Sequence, residues 1–243
     1  MGPSHPGGGV SLVADTARWL ADGEHWTGSD GVPARLVEHL TVSGAAVALA
    51  ALVALPVALW LGHIGRGGLL VVGLANASRA VPTFGVLIIL VATPVGFGDR
   101  ATVVALLLFA IPAILTNAYV GVRDVDKDAR DAARGMGMSG WQVLRRVEVP
   151  LALPLILAGL RTASVQVVAT ATLAAYVGGG GLGRLIADGF GRADPAMTAA
   201  GGVLVAALAL LVEVVLGAVQ KRVTPGPRRR MPASAVDAAA LPV

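Results

Sequence analysis

The chain has 243 residues, of which 55% are hydrophobic and 14% charged, with a formal net charge of +4 and a mean hydropathy of +0.74. Soluble globular domains carry about 25% charged residues, so this composition excludes an ordinary soluble domain and indicates an integral membrane protein. The chain has no cysteine, which excludes disulfides and thiolate metal sites. Its four histidines form no ligand pair at helical spacing, so we predict no metal site.

The first forty residues are predicted to form an extension on the outer side of the membrane. Within it, SLVADTARWLADGEHW (11–26) has the pattern of an amphipathic helix on the membrane surface, with Trp19 and Trp26 at the lipid headgroups. A loosely ordered extension is the alternative. The opening residues, MGPSHPGGGV, lack the charged start and apolar core of a signal peptide.

Helices of about 20 apolar residues are long enough to cross a bilayer, and the chain has four uninterrupted stretches of this kind. They lie at 41–62, 101–122, 151–177 and 197–219. Another apolar stretch, 67–94, is interrupted by Pro82, which lacks a backbone N–H and disfavours helix at the residue before it. We therefore predict an interfacial helix at 67–78 and a span at 80–96, with Arg79 near the interface.

These stretches predict an all-α, polytopic membrane protein with about five transmembrane helices. Its predicted parts are the extension 1–40, a membrane domain 41–220 and a basic, disordered tail 221–243. Five crossings place the termini on opposite sides, and twelve of the 19 Lys and Arg residues then share the side of the C-terminus, against five on the other. Basic loops favour the cytoplasm, so we predict a cell-membrane protein with its N-terminus outside and its C-terminus in the cytoplasm.

A polar island separates the third and fourth predicted spans. Its first helix is predicted from apolar or small residues that recur every three or four positions and so share one helical face. They are Val125, Ala129, Ala132 and Met136. Gly137 is suited to end this helix in a left-handed conformation. Ser139 and Gln142 then have capping-box spacing.

The second predicted helix of the island has its apolar face at Trp141, Leu144 and Val147 and is expected to stop at Pro150. The spacing of Ala133, Gly137 and Val143 also occurs in helix-turn-helix DNA-binding proteins. That motif needs a supporting third helix and free access to DNA, whereas this element is tethered to a span on each side. We therefore predict no nucleic-acid binding.

The island resembles the EAA loop of ABC-transporter permease subunits, whose pattern is Glu-Ala-Ala, three residues, Gly, nine residues, Ile, one residue, Leu-Pro. The matching positions are Asp131, Ala132, Ala133, Gly137, Val147, Val149 and Pro150. All spacings hold, and the departures, Asp for Glu and Val for Ile and Leu, keep charge or apolar character.

This resemblance implies that residues 131–150 form a cytoplasmic coupling helix that docks on a separate ATPase subunit, with Met138 and Trp141 as apolar anchors. A solvated loop without a partner is the alternative, and it leaves those apolar residues unexplained. The only lysines, Lys127 and Lys221, belong to no phosphate-binding loop. We therefore expect ATP to be bound by the partner, and this chain to carry no cofactor and perform no chemistry.

Further segments resemble the osmoprotectant branch of these permeases, which serves glycine betaine, choline and carnitine. They are ASRAVPTFG, AARGMGM, PLALPLILAGLRTA and ATLAAYVGGGGLG. The resemblance implies a second permease subunit, two ATPase subunits, an extracellular binding protein and an alternating-access mechanism. An amino acid such as methionine is the alternative cargo. An ion-driven secondary transporter is the alternative class, but it predicts inverted repeats that the sequence lacks.

Polar residues within the spans are the candidates for a translocation path. Thr162, Gln166 and Thr170 recur every four residues on the fourth span, and this stripe either lines the path or bonds neighbouring helices. Arg79, Asn117 and Arg161 are the other path candidates, and Glu213 is predicted to face a partner helix or the pore.

Two further expectations concern the ends of this path. Only 4% of the residues are aromatic, too few for a cation–π cage around a quaternary ammonium group, so we expect the binding protein to select the cargo. The glycines at 178–181 are predicted to be a flexible exit from the fourth span.

Overall fold

The computed structural model describes residues 8–223, and within that range all regular structure is helical. The α-helices are α1 (Gly8–Ala21), α2 (Val32–His63), α3 (Gly68–Ala80), α4 (Thr83–Val91), α5 (Asp99–Arg123), α6 (Lys127–Gly135), α7 (Gly140–Val143), α8 (Val149–Thr170), α9 (Gly183–Gly191) and α10 (Pro195–Val223). Short 3-10 helices follow α1 (Gly23–Trp26) and α8 (Ala171–Val177), and a π-helical turn (Leu144–Glu148) joins α7 to α8. The predictions for the chain's first seven residues and for most of the basic tail lie outside the described residues.

Within the described residues, four helical segments are long and apolar enough to cross a membrane. They are α2, α5, the continuous helix from Gly140 to Val177, and α10. The predicted spans at 101–122, 151–177 and 197–219 are confirmed by these helices. The first span is longer than its predicted 41–62, because α2 begins at Val32, inside the predicted extension. Pro at the first turn suits this earlier start, where a missing N–H costs nothing.

The fifth crossing is a bent pair, in which α3 and α4 meet at 83°. The predicted break at Pro82 is confirmed, since Val81 ends α3 and Pro82 precedes α4. The prediction that 80–96 spans the membrane alone is wrong, because the nine residues of α4 rise only about 14 Å. The two helices make the crossing together.

The bundle has two ends between which the chain runs. We call the end that carries the polar island the polar-loop end, and the end that carries the glycines at 178–181 the glycine-loop end. At the polar-loop end, Arg123 donates to the carbonyl of Gly65, and Gly68 lies beside the Tyr119 hydroxyl. At the glycine-loop end, the Gly98 N–H donates to the carbonyl of Val177 at 2.7 Å. Residues 68–98 therefore run from one end to the other. The start of α2 lies at the glycine-loop end, where Glu38 accepts from the Gly181 N–H, and the end of α10 lies at the polar-loop end, where Gln220 Nε2 donates to the carbonyl of Pro154.

Two rows of buried residues spaced four apart lie in the core. On α2, Ala46, Ala50, Ala54 and Ala58 are at most 1% exposed, and on α5 the row of Leu106, Ala110, Ile114, Ala118 and Val122 is at most 2% exposed. Such rows let two helices approach closely. A side chain at Gly62 would meet Val122 Cβ at 2.8 Å, so both helices run towards the polar-loop end.

Helix α8 packs against both α5 and α2, and α10 packs against α8. A Cβ atom at Gly159 would lie 2.7 Å from Asn117 Cβ, so this glycine sets the distance between α8 and α5. The predicted amphipathic segment 11–26 is helical, as α1 and the 3-10 turn. Its Trp19 packs with residues of α9 and α10 and stacks on His25 at 4.0 Å.

Candidate functional site

The polar island forms a compact helix–turn–helix at one end of the bundle. Asp126 caps α6 by accepting from the N–H groups of Asp128 and Ala129. Gly137 has φ of 79°, which confirms its predicted left-handed position at the end of α6. The Met138 N–H donates to the carbonyl of Ala133 at 3.2 Å, so the turn satisfies carbonyls that the helix end leaves free.

The predicted capping box at the start of α7 is present. The Gln142 N–H donates to Ser139 Oγ at 3.4 Å, and the Ser139 N–H donates to Gln142 Oε1 at 2.8 Å. This reciprocal pair fixes the direction in which α7 leaves the turn.

The exposed and buried faces of the island differ in part from the prediction. Ala133 is 1% exposed, whereas Met136 is 72% exposed and Ala132 is also on the surface. The predicted face therefore lies partly on the surface, with Val125 buried and Ala132 and Met136 exposed, and the helix turns Ala133 inward. Trp141 is 67% exposed and also walls an apolar groove against Trp60 of α2.

The remaining predicted docking residues occupy different depths. Asp131, Gly137 and Pro150 are exposed, while Met138 and Val147 are half-buried. The outer surface of the island thus carries apolar, small and charged groups together, whereas Ala133 supports it from inside.

The prediction that Pro150 stops the second helix is wrong. The chain continues from α7 through the π-helical turn into α8, and Pro150 lies in the first turn of α8. A proline is tolerated there, because the Val149 N–H bonds back to Leu144 across the π-helical turn and the α pattern restarts after it. The segment 131–150 is therefore continuous with a membrane span.

The buried charged residue that sequence reasoning missed is Glu148. Its side chain is fully buried, and its Oε2 accepts a hydrogen bond of 2.6 Å from Nδ1 of His63. Its Oε1 lies 2.9 Å from Nε of Arg130 in an ion pair. We refer to His63, Arg130 and Glu148 as the buried triad. Its members lie on different helical segments of the chain, so no local sequence pattern predicts that they meet.

Three of the six predicted path residues lie together. Asn117, Thr162 and Gln166 line a cavity of about 240 Å³ between α3, α5 and α8, with Ser78 on the facing wall. The hydroxyl of Thr116, which also lines it, has no hydrogen-bond partner among the described residues. The cavity thus has an apolar wall with a few uncharged polar groups, as ligand and passage sites commonly do.

The other three path candidates are placed differently. The backbone of Arg79 belongs to α3, and its side chain lies outside the described part of the chain. Thr170 is half-buried and does not line the cavity. Arg161 faces α10, where its Nε lies 3.3 Å from Glu213 and its Nη1 donates to Gln220 at 3.1 Å. Glu213 was expected to face a partner helix or the pore, and this pair places it beside α8 with 42% of its side chain exposed.

The glycine loop at 178–181 is fixed by hydrogen bonds to neighbouring helices, so the prediction of a flexible exit is wrong. The Gly181 N–H donates to Glu38 at 2.8 Å, and the Gly180 N–H donates to Asp99 at 3.2 Å. Two carboxylates from α2 and α5 therefore take the place of the hydrogen bonds that a free loop would make with water.

Comparison with protein families gives a match over residues 46–226 to the family described as binding-protein-dependent transport system inner membrane component. A relative from Bacillus subtilis, the glycine betaine/carnitine/choline transport system permease protein, is 37% identical over 77% of this chain and 86% of its own. A carnitine transport permease protein from Listeria monocytogenes is 38% identical over the same shares. The osmoprotectant import permease protein of Salmonella typhimurium is 33% identical over 77% of this chain and 89% of its own.

Solved structures with the same fold include the methionine ABC transporter in an inward-facing conformation, with a TM-score of 0.69 and 21% identity over 80% of this chain and 96% of that one. An amino acid ABC transporter matches with a TM-score of 0.58 and 18% identity over 91% of this chain and 97% of that one. The fold, the multi-pass membrane architecture and the EAA-type loop agree with the family match. The chain belongs to the binding-protein-dependent transport system inner membrane components, the membrane-spanning permeases of ABC importers.

Proposed function

We propose that this protein is the permease subunit of an ATP-driven importer of osmoprotectants of the glycine betaine, choline and carnitine class. The observation that carries the proposal is the set of relatives with these named activities, which are 33–38% identical over 77% of the chain. The permease performs no chemistry itself and binds no cofactor, because its two lysines belong to no phosphate-binding loop.

The polar island is the docking surface for the ATPase subunit. Met136 and Trp141 present bulky apolar groups to solvent, and exposed apolar groups beside charged ones are typical of protein interfaces. Ala132 and Gly137 are small and exposed, so a partner backbone can approach them closely. Asp131 and Arg134, an exposed pair at 3.7 Å, supply charges at the rim.

The cargo passes along the surface that contains Asn117, Thr162 and Gln166. Helix α8 leaves Thr162 and Gln166 exposed in the single chain, and polar groups in a span face protein or water in preference to lipid. A second permease subunit opposite this face encloses the path. Its uncharged lining offers no strong site for either charge of a zwitterion, so an extracellular binding protein selects the cargo.

The glycine-loop end faces outside and the polar-loop end faces the cytoplasm. The polar-loop end carries the larger share of the basic residues. The glycine-loop end carries five, Arg18, Arg35, Arg100, Arg184 and Arg192. This distribution supports the orientation by the preference of basic loops for the cytoplasm. It also places the docking surface where ATP is available.

The docking assignment is tested by two substitutions at Gly137. Asn tolerates the left-handed conformation, so Gly137→Asn should retain ATPase binding and uptake. Gly137→Glu is strained by the φ of 79°, but no atom lies within 4 Å of its Cβ position, so it should still fold in the membrane. Its long charged side chain should abolish co-purification of the ATPase and uptake. Full uptake by Gly137→Glu overturns the assignment.

The cargo is tested with the intact complex and its binding protein. Retention and uptake of radiolabelled glycine betaine, choline or carnitine supports the proposal. Methionine is the alternative cargo, and its uptake without that of the three osmoprotectants establishes this alternative. Uptake by the permease without ATP or an ATPase subunit contradicts both.

A further inference from the structure

The buried triad joins parts of the chain that belong to different membrane helices. His63 is the last residue of α2, Arg130 lies in α6, and Glu148 ends the π-helical turn that leads into α8. Glu148 is 0% exposed, and the side chains of His63 and Arg130 are 19% and 15% exposed. A single carboxylate therefore connects a span end, the first helix of the docking surface and the start of another span.

Arg130 extends this connection to a third span. Its Nη2 donates to the carbonyl of Val122 and, at 3.3 Å, to the carbonyl of Arg123, both in the last turn of α5. The carbonyls at a helix end lack partners within the helix, so a guanidinium is well suited to hold them. Through Arg130, Glu148 is linked to α5 as well as to α2 and α8.

The ionic contacts of the triad are buried, whereas the other ion pair of the island is exposed to solvent. A buried carboxylate is costly without close partners. Glu148 has a 2.6 Å hydrogen bond to His63 and a 2.9 Å ion pair with Arg130 that is close but lacks hydrogen-bond geometry, and losing either contact would leave its charge poorly compensated. The pair of Asp131 and Arg134 is 73% and 58% exposed and imposes little constraint. Among the described residues of the island, the buried triad is the most constraining polar connection to the spans.

We propose that His63, Arg130 and Glu148 are the positioning residues that make segment 127–148 move as one body with the ends of α2, α5 and α8. The proposal rests on the proposed function, because the movement starts at an ATPase docked on the exposed side of the segment. An ATPase that displaces α6 then displaces the three spans through Arg130 and Glu148. Without the link, α6 shifts while the spans stay in place.

The variant Glu148→Gln tests the link, because glutamine has nearly the same shape and lacks the charge. The complete importer is purified with its ATPase subunits and reconstituted with its binding protein, and ATP hydrolysis and solute uptake are measured in the same vesicles. The expected result is an assembled complex that hydrolyses ATP but transports about tenfold less solute per ATP. Asp15→Asn removes a carboxylate from an exposed 2.7 Å ion pair and should leave that ratio unchanged.

A distance measurement keeps the proposal testable if Glu148→Gln transports nothing at all. Because the chain has no cysteine, spin labels can be attached to Gly135→Cys in α6 and Leu49→Cys in α2, both exposed positions. The complete importer should give one narrow distance distribution, and Glu148→Gln should broaden it. His63→Gln should broaden it as well.

The results separate the link from the proposed function and from a purely structural role. If Glu148→Gln lowers the melting temperature but leaves both the transport-to-ATP ratio and the distance distribution unchanged, the proposal is overturned. If the unmodified chain binds no ATPase, the proposed function fails, while the distance measurement still reports whether the triad holds α6 to α2.

Discussion

The carboxylate of Glu38 accepts a hydrogen bond of 2.8 Å from the N–H of Gly181, which joins α2 to the loop after α8. The same carboxylate lies 2.9 Å from Nη1 of Arg35. At the next residue of α2, Nε2 of His39 donates to the carbonyl of Val168 at 2.8 Å in a buried position. The glycine-loop end of the bundle is therefore held by consecutive polar residues of α2.

Gly181→Ala should destabilise the folded protein by about 2–3 kcal/mol. Gly181 has φ of 92°, where a side chain is strained, and an added Cβ atom would lie 2.9 Å from Nδ1 of His39. Thermal unfolding of the purified protein in detergent measures the loss. Gly178→Ala is the matched control, because its φ is 76° but its nearest neighbour would lie 4.0 Å away. Equal losses in the two variants would show that the contact with His39 is unimportant.

Gly159→Ala should destabilise the packing of α8 on α5 by about 1–3 kcal/mol, the usual cost of overpacking. The new methyl group would lie 2.7 Å from Asn117 Cβ and 3.2 Å from the carbonyl of Ala113, and neither can move without its helix. Gly202→Ala is the control, since nothing lies within 4 Å of its Cβ position and Ala favours helix. Thermal unfolding should rank the control at or above the unmodified protein. A Gly159→Ala variant of unchanged stability would contradict the close approach.

Local features of the polar island could be predicted from sequence because they depend on neighbours in the chain. The left-handed Gly137 and the capping box of Ser139 and Gln142 each involve residues within one turn, and both are present. The end at Pro150 could not be predicted. Whether a proline ends a helix depends on the backbone hydrogen bonds of the preceding turn. Here that turn is π-helical, so the Val149 N–H bonds to the carbonyl of Leu144, five residues earlier.

Contacts between different helices of the bundle could not be predicted from the sequence, for a different reason. A span that is apolar on all sides has no polar face to indicate what it packs against, so the direction of Arg161 towards α10 could not be read from the chain. His63 and Glu148 are 85 positions apart, and nothing in either local sequence indicates the other. The cavity residues Thr162 and Gln166 were found because their interval of four repeats along one helix.

Glu213→Leu should destabilise the protein by about 2–3 kcal/mol, because it leaves the Arg161 charge in a span without a counterion. Gln220 remains, but as a neutral hydrogen-bond partner at 3.1 Å. The double variant Arg161→Met, Glu213→Leu removes both charges and should recover most of the stability in thermal unfolding. A double variant as unstable as Glu213→Leu would mean that shape, and not charge, holds α8 to α10 at this point.

Gln166→Leu should lower the uptake rate of the reconstituted importer by about two- to tenfold, which corresponds to the loss of one hydrogen bond of about 0.5–1.5 kcal/mol during passage. Leucine keeps the size of the side chain and removes its polarity from the cavity shared with Asn117 and Thr162. Ser164→Ala is the control on the same helix, since the Ser164 hydroxyl already donates to the carbonyl of Leu160 at 2.8 Å and does not line that cavity. Uptake is measured with radiolabelled solute at equal amounts of assembled complex. If both variants transport at the rate of the unmodified importer, the polar stripe of α8 bonds neighbouring helices and the path lies elsewhere.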